Sequence, residues 1–144
     1  MDLFKIRSKE LEDLFLAGKR PTTFFKEGET SSEWRVDMLT GPIPNLGKIF
    51  KHRKRFTEFG RTPGMPIGSN VFWKNFLWGS FLVWSRPSSE LAVIDYDYPK
   101  NTFLTRRITD MVRTTPNHNV LIGKFYYKIF GKLRFLGYFT LTRS

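Results

Sequence analysis

Two aspartates follow a short apolar run in the segment LAVIDYDYPKN, residues 91–101. Asp95 and Asp97 are two positions apart, so on a strand their carboxylates point to the same face. Asp110 lies in the next apolar segment and is the third carboxylate that could take part. Paired carboxylates can act as general acid and base, or they can hold arginines in place. No nucleophile constellation accompanies them, so the pattern favours a charged strand end over a catalytic pair.

The arginines that these aspartates could meet lie in the segment that follows. If residues 99–101 form a turn, the strands on either side are neighbours, and side chains pair across the ladder. Such a pair at the mouth of a barrel would orient a ligand in an otherwise apolar pocket. The simpler alternative is a solvated pair at the rim, worth at most about 1 kcal/mol. The candidate partners of the two aspartates are Arg106, Arg107 and Arg113.

Composition sets the limits on the kind of protein. The chain has 144 residues, no cysteine and 17% aromatic residues, which suits one β-rich domain spanning residues 1–144. The absence of cysteine excludes disulfides, thiol catalysis and cysteine-ligated metals. The two histidines do not have metal-ligand spacing, so we predict no metal and no cofactor. The N-terminal sequence is typical of neither a signal peptide nor a membrane span, which predicts a soluble protein of the cytoplasm.

The charge is strongly positive, with 24 Lys and Arg against 13 Asp and Glu and a net charge of +11. Such a field attracts polyanions, although it can also serve solubility alone. The densest basic segment, residues 48–55, could bind nucleic acid or an anionic membrane surface, but no nucleic-acid motif supports it. A solvated charged strand is the alternative. The basic residues of this segment are Lys48, Lys51, Arg53, Lys54 and Arg55.

The elements that position these residues can be read from the pattern. Residues 1–20 predict a helical segment: Ser8 is a helix start, apolar residues follow at helical spacing, and Gly18 ends the helix. The rest of the chain reads as strands separated by turn residues. The strand candidates are 33–39, 53–59, 71–84 (two strands broken near Gly79), 91–96, 105–113, 119–129 and 133–142.

Evenly spaced strands with short connections predict an antiparallel meander, which must close to hide its edges. The fold class is therefore all-β: an up-and-down β-barrel with an N-terminal helix. In the last strand a period of two places Leu133, Phe135, Phe139 and Leu141 on one side.

Several stretches resemble a group of bacterial lipocalin-like proteins that carry a Gly-x-Trp-x-Gly signature on the first strand. The matching stretch here is 32–36, SEWRV, which keeps the tryptophan and replaces both glycines. Residues 94–97, IDYD, and 107–113, RITDMVR, resemble a second run of the group, and residues 121–124 and 136–139 resemble its last elements. The resemblance implies a lipocalin-like barrel with an interior cavity and no established reaction. It also implies that Trp34 packs against Arg134 or Arg143 at the barrel floor.

Together these observations predict non-catalytic binding of a small, mostly apolar ligand in the barrel, one that carries an acidic head if the arginines meet it. The first alternative is the polyanion-binding module described above. The second is a cavity enzyme that uses Asp95, Asp97 or Asp110 as acid and base. The candidate ligand-binding residues are Trp73, Trp78, Trp84, Asp95, Tyr96, Asp97, Arg107, Asp110, Arg113, Tyr126 and Tyr138.

Overall fold

The computed structural model describes residues 8–40, 52–62, 65–72, 77–85 and 88–143. Three residues of the predicted sites, Lys48, Lys51 and Trp73, lie outside these ranges. The described helix is too short to cross a membrane.

Strands of the described residues close into one antiparallel barrel in which each strand pairs with its neighbours in the sequence and the last pairs with the first. This confirms the predicted all-β, up-and-down barrel with an N-terminal helix. Successive strands are antiparallel, so closure leaves no free sheet edge. The strands are β1 (Ser31–Met38), β2 (His52–Thr62), β3 (Met65–Val71), β4 (Leu77–Trp84), β5 (Ala92–Asp95), β6 (Ile108–Thr114), β7 (Val120–Ile129) and β8 (Lys132–Arg143).

The helix α1 (Ser8–Ala17) packs on the outside of the barrel, as its amphipathic pattern requires. Its buried residues Leu11 and Phe15 contact Ile122 of β7 and Tyr138 of β8. The Arg113 guanidinium donates to the carbonyls of Phe15, Leu16 and Gly18 at 3.1–3.4 Å. This arginine therefore donates to carbonyls at and just beyond the end of the helix, where the last turn has no further N–H donors of its own.

One end of the barrel is closed by aromatic packing. The Phe24 ring stacks on Phe56 with centroids 4.4 Å apart, and the Phe24 carbonyl accepts from the Trp34 indole at 3.1 Å. The Arg143 guanidinium lies 4.4 Å from the Trp34 ring centroid, which is one of the two arginine partners expected for this tryptophan. The end of β1, the start of β2 and the described connections β5–β6 and β7–β8 lie at the opposite end, which we call the mouth end.

Two irregularities differ from the simple alternation expected from the sequence. The break between β3 and β4 falls after Val71 and not near Gly79; Gly79 instead sits within β4 at a register shift, with φ of 70°. In β8 a register shift inserts Leu136 as an extra residue. The prediction for Leu133 and Phe135 was therefore wrong, because one inserted residue moves everything before it to the other face.

The remaining difference concerns the start of β6. Residues Thr105–Arg107 form a 3-10 turn and not the first residues of a strand. Arg107 therefore belongs to the connection between β5 and β6, at the mouth end.

Candidate functional site

The barrel interior contains a cavity of about 230 Å³ near the mouth end. Its wall includes residues at or next to the strand ends there: Met38, His52, Trp78 and Ile108. Most of the remaining wall is apolar. It is formed by Val36, Phe125, Leu136 and Phe139, with Tyr126 and Tyr127 at the margin.

Four polar residues that also line this cavity form one buried cluster: Lys54, Asn70, Tyr96 and Asp110. Each of them is at most 4% exposed. The Lys54 ammonium donates to the Asn70 amide oxygen at 2.8 Å and to the Tyr96 hydroxyl, and it lies 3.3 Å from the Asp110 carboxylate. The Asn70 amide nitrogen donates to the same hydroxyl at 2.9 Å. We call this group the interior cluster.

The strand alternation explains why these residues point inward. Lys54 shares a face of β2 with Phe56, and Asp110 shares a face of β6 with Val112, both of which belong to the barrel core. Tyr96 continues the inward face of Ile94 beyond the end of β5. Its ring packs edge-on against Phe81, with centroids 5.5 Å apart.

The electrostatics of the interior cluster are those of a charge pair held away from water. Burial acts to lower the pKa of Lys54, but its interactions with the Tyr96 hydroxyl and the Asp110 carboxylate outweigh this and raise that pKa, so the side chain is an ammonium ion. Burial raises the pKa of Asp110, and the Lys54 ammonium offsets only part of this effect. Burial likewise raises the pKa of the Tyr96 phenol, which stays protonated at neutral pH.

This arrangement can orient a polar group but is a poor catalytic centre. The Lys54 ammonium already faces three partners, and an ammonium has three donors, so Lys54 is not poised as a nucleophile. No group of three or more His, Asp or Glu residues in the described part of the chain could hold a metal ion. A hydrogen-bonding group of a ligand could still approach the hydroxyl, amide and carboxylate that line the cavity.

The structure places four of the predicted ligand-binding residues at this cavity: Trp78, Tyr96, Asp110 and Tyr126. The Tyr126 ring packs against Phe135, with centroids 5.8 Å apart, so this tyrosine contributes to the margin rather than the interior.

Four other predicted residues lie on the outside of the wall. Trp84, Asp95, Asp97 and Arg107 line a groove on the outer face, and the prediction that Trp84 lines the cavity was wrong. The Trp84 indole donates to Asp95 at 3.0 Å, and Arg106 pairs with Asp97 at 2.7 Å. The carboxylates do not converge, because Asp95 and Asp97 face outward while Asp110 faces inward.

The last two predicted residues, Arg113 and Tyr138, lie beneath α1. The Tyr138 hydroxyl donates to the Glu12 carboxylate of the helix, which also pairs with Lys124 at 2.5 Å. Arg113 therefore holds the helix and does not face a ligand in the barrel, because its strand position points outward.

The described residues of the basic segment also lie on both faces of the barrel wall. Arg53 and Arg55 point outward and both pair with Glu33 at 2.7 Å, whereas Lys54 points into the cavity. Alternation with the apolar Phe56 would have revealed the inward position of Lys54 from the sequence. Asn70 was missed altogether, since the sequence offers no signal that separates it from a turn residue.

No family model, curated protein or solved structure matches the chain.

Proposed function

We propose that this protein binds a small, mostly apolar molecule in the cavity of its barrel without chemically changing it. The observation that carries this proposal is a mostly apolar cavity into which the buried polar cluster of Lys54, Asn70, Tyr96 and Asp110 faces, with His52, Tyr126 and Tyr127 as the other polar residues of its wall. Ligand sites typically combine an apolar lining with a few convergent polar groups that fix orientation.

The size of the cavity restricts the ligand. Drug-sized ligands occupy pockets of about 300–1,000 Å³, while an apolar cavity of about 150 Å³ accommodates benzene. A cavity of about 230 Å³ therefore suits a compact molecule, such as one ring with a short chain.

The interior cluster also restricts the polar end of the ligand. Asp110 already balances the charge of Lys54, so a neutral hydroxyl or carbonyl suits the cluster better than a free carboxylate. The acidic head expected from the sequence relied on Arg107 and Arg113, and neither lines the cavity.

We further propose that the chain is related to the lipocalin-like proteins that its motifs resemble. The contact between Trp34 and Arg143 at the closed end supports this relationship. A cytoplasmic location stays a prediction from the sequence.

The two alternatives have less support from the geometry. A polyanion site on residues 48–55 would use Arg53 and Arg55, which both pair with Glu33. An acid–base enzyme would need two carboxylates in one pocket, whereas Asp110 is on the opposite side of the wall from Asp95 and Asp97.

Native mass spectrometry of the purified protein tests the proposal, followed by denaturation and identification of any released molecule. We expect a bound compound of low mass, and titration with a small, neutral, one-ring fluorescent probe, which matches the size and charge expected for the ligand, should show one displaceable site. Leu136→Trp, which fills the cavity, should abolish probe binding, whereas Leu133→Trp on the outer face should not. Equal probe binding by both variants, with both folded by circular dichroism, would contradict the proposal.

A further inference from the structure

The large apolar side chains that the structure leaves exposed are concentrated at the mouth end of the barrel. Two neighbouring connections carry five of the ten in the described residues: the β5–β6 connection with Phe103 and Leu104, and the β7–β8 hairpin with Ile129, Phe130 and Leu133. We call these five residues the apolar tip. The two connections are adjacent in space, because Phe103 and Leu133 line the same outer groove.

Phe130 is an unfavourable residue for the backbone conformation at its position. Ile129 pairs with Lys132, so Phe130 and Gly131 form a two-residue turn, with φ of 50° and 76°. Turns with two positive φ values favour Asn-Gly, and a bulky side chain in the first position is strained. Phe130 is nevertheless 99% exposed, so packing within the chain does not offset that strain. Phe130 costs stability in this turn and gains none from packing, so its presence indicates a role in contact with another molecule.

The charges around the apolar tip are positive. Lys128, Lys132 and Arg134 are exposed on the hairpin that carries Phe130, and no ion pair joins them to an acid among the described residues. Arg107 lies against the Phe103 ring, 4.1 Å from its centroid. The two acids nearby are engaged, since Asp97 pairs with Arg106 and Asp95 accepts from Trp84.

We propose that the apolar tip is a docking surface for an anionic lipid bilayer. Apolar side chains that project from turn ends, with lysine and arginine just behind them, match the chemistry of the interface. The rings enter the boundary between headgroups and acyl chains, and the cations meet the anionic headgroups. This surface is distinct from residues 48–55.

A projecting tip suits a bilayer better than a folded protein partner. Protein interfaces are built around a well-packed core patch of complementary shape, whereas Phe130 stands free of its neighbours at the end of a hairpin. The cations could bind the phosphates of a nucleic acid. Leu104, Ile129 and Leu133, however, have no planar ring to stack on a base, so they would not contribute to such binding. Docking in this way turns the mouth end, and with it the cavity, toward the membrane.

Sedimentation with sucrose-loaded vesicles tests this proposal. One set of vesicles is pure phosphatidylcholine, and the other also contains about 30 mole percent phosphatidylserine. We expect the protein to bind the anionic vesicles and to bind the neutral ones at least about tenfold more weakly. Phe130→Asn creates the favoured Asn-Gly turn while removing the inserted ring, so it should keep or raise the melting temperature. It should also weaken vesicle binding by roughly 10- to 100-fold, the loss expected for one buried aromatic side chain.

Matched variants separate the apolar tip from general effects. Lys132→Glu should weaken binding by about fivefold or more, whereas Lys19→Glu makes the same charge change near the end of α1 and should have a smaller effect. Leu16→Asn removes an exposed leucine from the helix and should leave binding unchanged. Leu136→Trp tests the cavity separately: loss of probe binding with intact vesicle binding would show that docking is independent of the ligand site.

Three outcomes would overturn the proposal. The first is a wild-type protein that does not sediment with anionic vesicles. The second is a Phe130→Asn variant that binds them as tightly as wild type. The third is a Phe130→Asn variant that turns a dimer into a monomer in analytical ultracentrifugation without changing vesicle binding, which would identify the tip as an interface between copies of this chain.

Discussion

The two sides of the barrel wall at β5 and β6 place aspartate side chains in opposite environments. On the inner face, Asp110 is buried beside Lys54, with Tyr96 and Asn70 completing the cluster. On the outer side, in the connection between β5 and β6, Asp97 pairs with Arg106, and their side chains are 61% and 47% exposed. Both are carboxylate–cation pairs, and they differ in burial.

Burial decides what each pair means. An exposed pair gains little, because water screens it and the side chains lose freedom to form it. A buried pair requires two ions to leave water, and hydrophobic residues in the same place would often be equally stable or more stable. The presence of the interior cluster in a core that could have been apolar is therefore not explained by stability alone, and it supports the proposal that the cluster orients a ligand.

The largest effect is expected from breaking the interior pair on one side only. Lys54→Met leaves Asp110 buried without its cation, which should lower the free energy of unfolding by about 3–5 kcal/mol. Urea denaturation followed by circular dichroism measures this change. Arg53→Met, the adjacent outward-facing position on β2, is the matched control and should cost less than about 1 kcal/mol.

The double variant Lys54→Met with Asp110→Leu keeps this test informative even if the single variant does not fold. Removing both charges should recover most of the loss, because no unpaired ion remains. Similar costs for Lys54→Met and Arg53→Met would mean that burial does not distinguish the two faces.

A smaller effect is expected from the hydroxyl that joins the interior cluster. Tyr96→Phe keeps the ring packed on Phe81 and removes only the oxygen that Lys54 and Asn70 contact, at an expected cost of about 1–3 kcal/mol. The same unfolding measurement applies, with Tyr98→Phe as the control two residues further on. A Tyr96→Phe variant as stable as wild type would mean that the hydroxyl makes no net contribution to stability, and the probe affinity of the variant would then test its proposed role in ligand binding.

The sequence predicted the fold well because strand alternation and turn residues are local signals. It also named Arg106 among the candidate partners of Asp95 and Asp97, and Arg106 does pair with Asp97. It named Tyr96 and Asp110 but missed the other two members of the interior cluster: Lys54 looks like one more member of a basic run unless its alternation with Phe56 is used, and Asn70 carries no signal of its direction.

Bulges were the second source of error. The extra residue at Leu136 reverses the face of Phe135, which consequently contacts Tyr138 outside the barrel. An inserted residue leaves no mark in a sequence of alternating apolar and polar residues, since the pattern stays regular on both sides. Gly79 was recognised as an irregularity, but its positive φ marks a shift within a strand and not the end of one.

The ion pair between Glu12 and Lys124 is intermediate in burial between the Lys54–Asp110 pair and the Arg106–Asp97 pair. Burial acts to raise the pKa of Glu12, but Lys124 and Tyr138 outweigh this and hold the pKa below its ordinary value of 4.5. The contact therefore stabilises α1 on the barrel fully above about pH 4.5, and this contribution is lost as the pH falls through the lowered pKa. Hydrogen exchange of the helix amides should show protection that decreases in acid. Glu12→Gln should remove most of this pH dependence, and an unchanged acid response in that variant would assign it to other carboxylates.

The smallest effect is expected at the outer pair, where Asp97→Asn removes the charge that Arg106 meets. The change should alter the free energy of unfolding by less than about 1 kcal/mol, and added salt should weaken the difference further, because both side chains are largely in water. Probe binding in the cavity should not change, since Asp97 is on the other side of the wall. An effect on probe affinity comparable with that of Asp110→Asn would mean that the two faces act together on the ligand, and the division between an orienting interior and a solvated exterior would no longer hold.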